Sequence, residues 1–290
     1  MPDDPPAAAA VPRPALSERL RRVYPELTAT ERRAADFLAA APAAILLHTG
    51  REISESAGIS PASLSRLVRR LGYDSFAQAR RAEQARRASG SPYELFDPGQ
   101  PVAAGSLERA FGQERRLLED TRALLNPQAI GEAVTVLAQA RQVWFAGFRN
   151  NRFLADYARA LFATIRPGTH PLTVPGQTLA ESVSSVAPGD AVVAFGLRRR
   201  VAWFRPMLPM LQEAGAEVLL IADRGLRPPV AGARWTMTCA VETARPFDSY
   251  VGPMALTRLL ALETLQRLGP DAGDRLGRIE GALARLRELE

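Results

Sequence analysis

From residue 16 to about residue 88 the apolar residues recur at helical spacing, whereas beyond residue 140 they gather into short runs separated by amphipathic stretches. The first pattern predicts helices over about 17–24, 29–41, 51–57, 61–71 and 75–88. Pro25 ends the first of these helices, and Thr28 with Glu31 three residues on supplies a capping box for the second. Ala34, Phe37, Leu38 and Ala41 make its apolar face, and Pro42 closes it. The second pattern predicts strands at 143–146, 172–174, 191–195, 217–221 and 235–239. Helices are expected between and around them, at about 107–125, 127–140, 153–165, 201–214, 250–268 and 274–289. β-branched runs alternating with amphipathic helices read as a doubly wound parallel sheet with helices on both faces. The fold class is therefore α plus α/β. Residues 1–15, rich in Pro and Ala without a period, are expected to form a disordered leader, 16–88 a helical domain, 89–106 a Ser-, Pro- and Gly-rich linker, and 107–290 the α/β domain.

Composition narrows the picture. The 290 residues hold 47% hydrophobic and 23% charged residues, with no apolar run of the ~20 residues a spanning helix needs, so no membrane partner is expected. One cysteine, Cys239, excludes an internal disulfide framework and a cysteine-type zinc finger, and two histidines, His48 and His170, offer little for a metal site. All 37 basic residues are arginine. Between residues 60 and 90 there are seven Arg against two acids, a local excess of five positive charges, which suits a phosphate-backbone binder and equally a solvated helical face.

The 51–57 helix, a turn at Gly58 and the 61–71 helix form a helix-turn-helix. Ser60 stands as N-cap with Pro61 at the first helical position. Leu64, Leu67, Val68 and Leu71 must face a core, which leaves Ala62, Ser63, Ser65, Arg66, Arg69 and Arg70 on the opposite arc. Small polar residues at the start of such a helix can approach base edges, and guanidinium groups can take phosphates or guanine acceptors. Ser60, Ala62, Ser63, Ser65, Arg66, Arg69, Arg70, Arg80 and Arg81 are thus the candidate DNA contacts. Arg66, Ser63 and Ser65 would approach bases, and Arg69, Arg70, Arg80 and Arg81 phosphates.

The run from Ile53 through Ser60, Pro61, Ser65 and Arg66 to Leu71, Gly72, Tyr73 and Phe76 resembles the DNA-binding domain of the RpiR/MurR family of bacterial transcriptional regulators. Leu27, Thr28, Glu31 and Asp36 fit the same family's second helix, and the likeness covers about residues 16–87. Residues 125–270 resemble the sugar isomerase (SIS) domain that follows in that family. Val143 to Gly147 match its first strand and glycine loop, Ala191 to Phe195 the strand before the second ligand loop, and Phe247, Asp248 and Ser249 the opening of its last helix. The family's Ser- and Thr-rich sugar-phosphate loops are replaced here by Gly147, Phe148, Arg149, Asn150, Asn151 and by Gly196, Leu197, Arg198, Arg199, Arg200. Gly147, Arg149, Asn150, Asn151, Gly196, Arg198, Arg199 and Arg200 are therefore the candidate effector residues. Several guanidinium groups without nearby acids would favour an anionic metabolite.

The resemblance implies a cytoplasmic, DNA-binding regulator of operator DNA, modulated by an anionic metabolite or sugar phosphate and acting as a homodimer or higher homo-oligomer. No catalytic residue, metal or cofactor is expected. One rival is an SIS-type phosphosugar isomerase, which would need a general acid and base at the strand ends. The other is a DNA-binding protein whose α/β domain only oligomerises. His48 and His170 read as structural, and Cys239 as a buried small hydrophobe. Trp144, Trp203 and Trp235 read as core or interface, and Glu181 with Ser182, Ser184 and Ser185 as an ordinary polar helix start.

Overall fold

A helical N-terminal unit and an α/β C-terminal unit divide the chain between Phe96 and Asp97 in a computed structural model, which describes residues 16–40, 44–89, 107–243 and 247–288. The leader and nearly all of the linker inferred from the sequence lie outside the described residues, as do Ala41 and Pro42.

The first unit contains α1 (Leu16–Val23), α2 (Ala29–Ala40), the short α3 (Ala44–Leu47), α4 (Gly50–Ser56), α5 (Pro61–Arg70) and α6 (Phe76–Ser89). Their apolar stripes meet in one core that includes Leu20, Leu27, Leu38, Ile45, Ile53, Leu64, Leu67 and Leu71. Local chemistry sets the helix ends. Thr28 and Glu31 form the expected box, the Glu31 carboxylate accepting from Thr28 N at 3.0 Å and from its hydroxyl at 2.9 Å. Those two donors hold the carboxyl of buried Glu31 below the usual carboxylate range, the backbone N–H contributing most. A second box, unforeseen although its Thr-x-x-Glu spacing was legible, joins Thr49 and Glu52 at the start of α4.

The α4–α5 turn and the exit of α5 close in the same way. Gly58 (φ +63°) donates to the Glu55 carbonyl and Ile59 to that of Ser54. Gly72 (φ +82°) and Tyr73 repeat the pattern on Arg69 and Val68. Both are Schellman closures, which need a residue at positive φ that glycine supplies without steric cost.

The second unit adds α7 (Leu107–Leu124), α8 (Pro127–Gln139), α9 (Arg152–Ile165), α10 (Leu179–Ser184), α11 (Phe204–Glu213), α12 (Val251–Leu268) and α13 (Pro270–Leu286). Among them run β1 (Val143–Gly147), β2 (Thr169–Pro171), β3 (Ala191–Gly196), β4 (Glu217–Asp223) and β5 (Trp235–Cys239). All pairings are parallel, in the order β2-β1-β3-β4-β5. Side chains alternate between two cores. Phe145, Val193, Phe195 and Ile221 pack with α8, α9 and α12, while Ala146, Val192, Ala194 and Leu220 pack with α10 and α11. The order in which strands are added reverses between β1 and β3, and ligands of such sheets lie in the crevice outside the carboxyl ends of the strands at that point.

Three sequence expectations need correction. The strand at 172–174 lies instead at Thr169–Pro171, because that segment finds β1 in register while Leu172, fully buried, anchors the chain beyond it. The last helix begins at Pro270, four residues before the expected Asp274, with Pro in its first turn after Gly269. The stretch 44–47, not foreseen as helical, forms α3. No helix among the described residues is long and apolar enough to cross a membrane.

Candidate functional site

In the helical unit, the wet arc of α5 carries Ala62, Ser65, Arg66, Arg69 and Arg70, all exposed, as the period predicted. Ser60 caps the helix, accepting from Ser63 N at 3.2 Å. Ser63 itself is buried. Its hydroxyl lies 3.0 Å from that of Ser60 and accepts from Arg66 at 3.1 Å, so it orients the cap and the Arg66 guanidinium and is withdrawn from the surface.

Two further candidates are engaged within the fold. Arg70 pairs with the buried Glu31 carboxylate at 3.3 Å, joining α5 to α2. Arg80 donates to the Ile45 carbonyl at 2.8 Å and to that of His48, and stacks over the Phe76 ring, so it ties α6 to the end of α3. Arg69 and Arg81 remain on the surface. The sequence missed Arg19, which donates to the Leu71 carbonyl at 2.7 Å and lies over the Tyr73 ring, closing the C-terminus of α5.

In the α/β unit the two candidate loops follow β1 and β3 and meet at the switch point. Gly147 and Gly196 are packing glycines: a Cβ would overlap the Asn151 carbonyl at the first and fall 2.5 Å from the Phe204 ring at the second. Asn151 joins the loops. It is buried, and its amide donates to the Leu197 carbonyl at 3.1 Å while its Oδ1 has no hydrogen-bond partner among the described residues.

The expectation of arginines without nearby acids is overturned. Arg200 donates to the Gly196 carbonyl at 2.6 Å and pairs with Asp223 at the end of β4, while Arg198 pairs with Asp248, just before α12, at 3.3 Å. Parallel pairing sets Gly196 opposite Ala222 and so brings Asp223 alongside the loop. Burial raises the Asp248 carboxyl above its ordinary value despite the Arg198 charge.

Arg149 and Arg199 are different. Both are exposed, neither guanidinium makes an ion pair or a hydrogen bond among the described residues, and their backbones sit at φ +55° and +56°. Two aromatic pairs lie close by in the chain. Phe148 meets Trp203 edge-on at 4.3 Å, and Phe153 meets Tyr250 at 5.3 Å. Burial raises the Tyr250 hydroxyl, with Asn150 donating a hydrogen bond that opposes the rise.

The remaining candidates are structural. His170 lies on edge strand β2, 2.7 Å from Gln142, and His48 is an exposed residue 3.9 Å from Glu52. Trp235 is buried and donates to Glu132 at 3.0 Å. Glu181 completes a capping box with Thr178. Cys239 is buried at the end of β5, and burial pushes its thiol up to about 12. Arg166, also buried, satisfies the Leu137 and Ala140 carbonyls at the end of α8.

Residues 136–263 match the SIS domain model. The chain is 26% identical over 218 residues to the bifunctional protein glk of Burkholderia thailandensis, covering 72% of this chain and 33% of that protein. It thus spans about a third of the length of that relative. It is 24% identical over 281 residues to the HTH-type transcriptional regulator HexR of Pseudomonas aeruginosa, covering 92% and 95% of the two chains. Among solved structures, the sugar isomerase domain of an RpiR transcription factor from Sphaerobacter thermophilus superposes with a TM-score of 0.55 at 23% identity, over 59% of this chain and 95% of that one. The Vibrio vulnificus NanR protein complexed with ManNAc-6P gives 0.55 at 17%, over 93% and 98%. The SIS fold expected from residues 125–270 is borne out, and so is the kinship with helix-turn-helix regulators.

Proposed function

We propose, from the premise that this chain carries a SIS domain and is similar over nearly its whole length to a helix-turn-helix regulator, that it is an effector-modulated, DNA-binding transcriptional regulator of the RpiR/MurR kind. The observation that carries this reading is the surface of α5, where a Ser60-capped, Schellman-closed helix leaves Ala62, Ser65, Arg66 and Arg69 exposed on one arc. Ala62 and Ser65 leave room for base edges, Arg66 reads bases, and Arg69 with Arg81 takes phosphates. One helix-turn-helix reads only a few base pairs, so the chain binds operator DNA as a homodimer or higher homo-oligomer, in the cytoplasm.

The SIS domain binds a small anionic metabolite at the carboxyl ends of β1 and β3. Support comes from NanR, a neighbour in fold that was solved with a sugar phosphate. An effector that binds one arrangement of the chain better than another shifts the population able to hold DNA, and only that differential affinity can do so. The isomerase alternative is not favoured, since the relative matching nearly the whole chain is a regulator.

The test is selection of fragments of the source genome by the purified chain, then footprinting. Arg66→Ala should cost about 1 to 3 kcal/mol and relax preference at one position, whereas Arg69→Ala should weaken all sequences and lower the salt slope by about one. Loss of neither affinity nor preference in Arg66→Ala would remove that residue from the contact.

A further inference from the structure

Four glycines of the α/β unit stand just before strands: Gly168 before β2, Gly189 before β3, Gly215 before β4 and Gly232 before β5, at φ +70°, +87°, +88° and +80°. At the entry to four of the five strands the chain uses the residue for which positive φ costs nothing. After β1 and β3 the same region is taken by Arg149 and Arg199, at φ +55° and +56°. A long side chain held there carries a conformational cost, and such outliers persist where the surroundings enforce them, often at ligand clamps.

The charges sort the same way. Arg198 and Arg200 are engaged by Asp248 and Asp223, so they hold the β3 loop to the end of β4 and the start of α12. Arg149 and Arg199 form no ion pair among the described residues, although the Arg199 charge acts on Asp248 from a distance, and both are exposed on neighbouring loops. The strands behind them are adjacent, with Gly147 opposite Phe195. Between the loops lies the buried Asn151 amide, whose Oδ1 lacks a donor. The ring of Phe148, the residue before Arg149, packs edge-on against Trp203, four residues after Arg199, and Trp203 is 41% exposed.

We infer that Arg149 and Arg199 form a two-armed clamp for an organic polyanion at the switch point, while Arg198 and Arg200 serve only as internal struts. This rests on the effector reading above and assigns the ligand's charge to two residues. The ligand presents at least two anionic oxygens to the guanidinium pair and a face toward Trp203. Phosphate ester and polycarboxylate share the anionic chemistry and are separated by the probes used.

The test titrates the full chain with inorganic pyrophosphate, with citrate and with neutral ManNAc, following heat and tryptophan fluorescence, and with a Trp203→Phe variant to assign the fluorescence change. The substitutions are Arg149→Asn and Arg199→Asn, because asparagine tolerates positive φ and so removes the charge without adding strain. Arg205→Ala, an exposed arginine on α11, controls for general charge.

One anion should bind saturably, each Asn variant should lose about tenfold or more in affinity, and Arg205→Ala should stay within about twofold. Tighter binding of pyrophosphate than citrate would point to a phosphate ester, and the reverse to a polycarboxylate. Absence of anion binding, binding that survives both Asn substitutions, an equal loss in Arg205→Ala, or equal binding of ManNAc would overturn the clamp. DNA retention by the two variants is measured in parallel. A clamp that fails with DNA binding intact leaves the regulator standing, and a chain that holds the anion but no DNA refutes the regulator alone.

Discussion

The two edges of the parallel sheet solve the same problem with different residues. At the amino edge Asp190, buried before β3, gathers Arg141 at 2.8 Å, the Trp144 indole at 2.9 Å and the Ala187 amide at 3.1 Å. Glycines make the turns there. At the carboxyl edge two arginines occupy the left-handed region and a buried amide oxygen goes without a donor. One edge carries its left-handed turns on glycine and the other on arginine, while each holds one buried side-chain oxygen without a hydrogen bond, Asp190 Oδ1 at the first and Asn151 Oδ1 at the second. The choice of turn residue sets the two edges apart without reference to any relative.

Substitutions can break or sharpen that contrast. The largest effect is expected from Asp190→Ala, which strands Arg141 and leaves the indole and an amide without their acceptor. Denaturant unfolding should report a loss of about 3 kcal/mol, and a loss under about 1 would mean the amino edge is no scaffold. Gly215→Ala comes next, since its Cβ would lie 2.8 Å from the Pro188 ring at φ +88°. Strain and crowding together should cost about 2 kcal/mol, read as a lowered midpoint with an unchanged slope.

At the other edge the sign reverses. Arg199→Gly relieves a left-handed residue, so stability should hold or rise by up to about 1 kcal/mol even though glycine usually destabilises. A clear loss in the same unfolding assay would erase the distinction between the edges.

The smallest effects concern pH. Asp248 binds its proton more tightly in the folded chain than in the unfolded one, so the stability it contributes is complete below the ordinary carboxylate value. That contribution is lost as pH rises through the raised value. Glu31 behaves oppositely: its contribution is present above the ordinary value and is lost as pH falls through the lowered one. Asp248→Asn should remove the first slope and Glu31→Gln the second, in stability curves taken across the carboxylate range. Slopes unchanged by either substitution would mean that other groups set the acid response.

Much of the fold was legible because its signals are local. Thr28 with Glu31, Ser60 with Pro61, and the apolar stripe of α5 each lie within one or two helical turns, where spacing alone constrains geometry. Strand β2 was misplaced because apolar character marks Leu172 as buried but says nothing of which three residues find β1 in register. The site was less legible for a similar reason. Asp223 lies 23 residues from Arg200 in the chain, and only the parallel pairing of β3 with β4 brings it near. The arginine loops were visible, but which arginines were already engaged was not. In the helical unit spacing likewise gave no sign that Ser63 is buried, or that exposed Arg70 and half-buried Arg80 are engaged by a carboxylate and two carbonyls within the fold.

Cys239, buried at the end of β5 with its thiol pushed up to about 12, bears on how the molecule can be watched. Fully buried and held in its thiol form, it is shielded from maleimides and iodoacetamides, which need an accessible thiolate. The 290 residues contain no other cysteine and no lysine. The chain is therefore nearly silent to the common thiol and side-chain amine reagents, and a cysteine introduced at exposed Ser65 would carry a dye or spin label on α5 alone. Arrival of DNA at α5 and of an anion beside Trp203 would then be read in one sample through two independent optical signals.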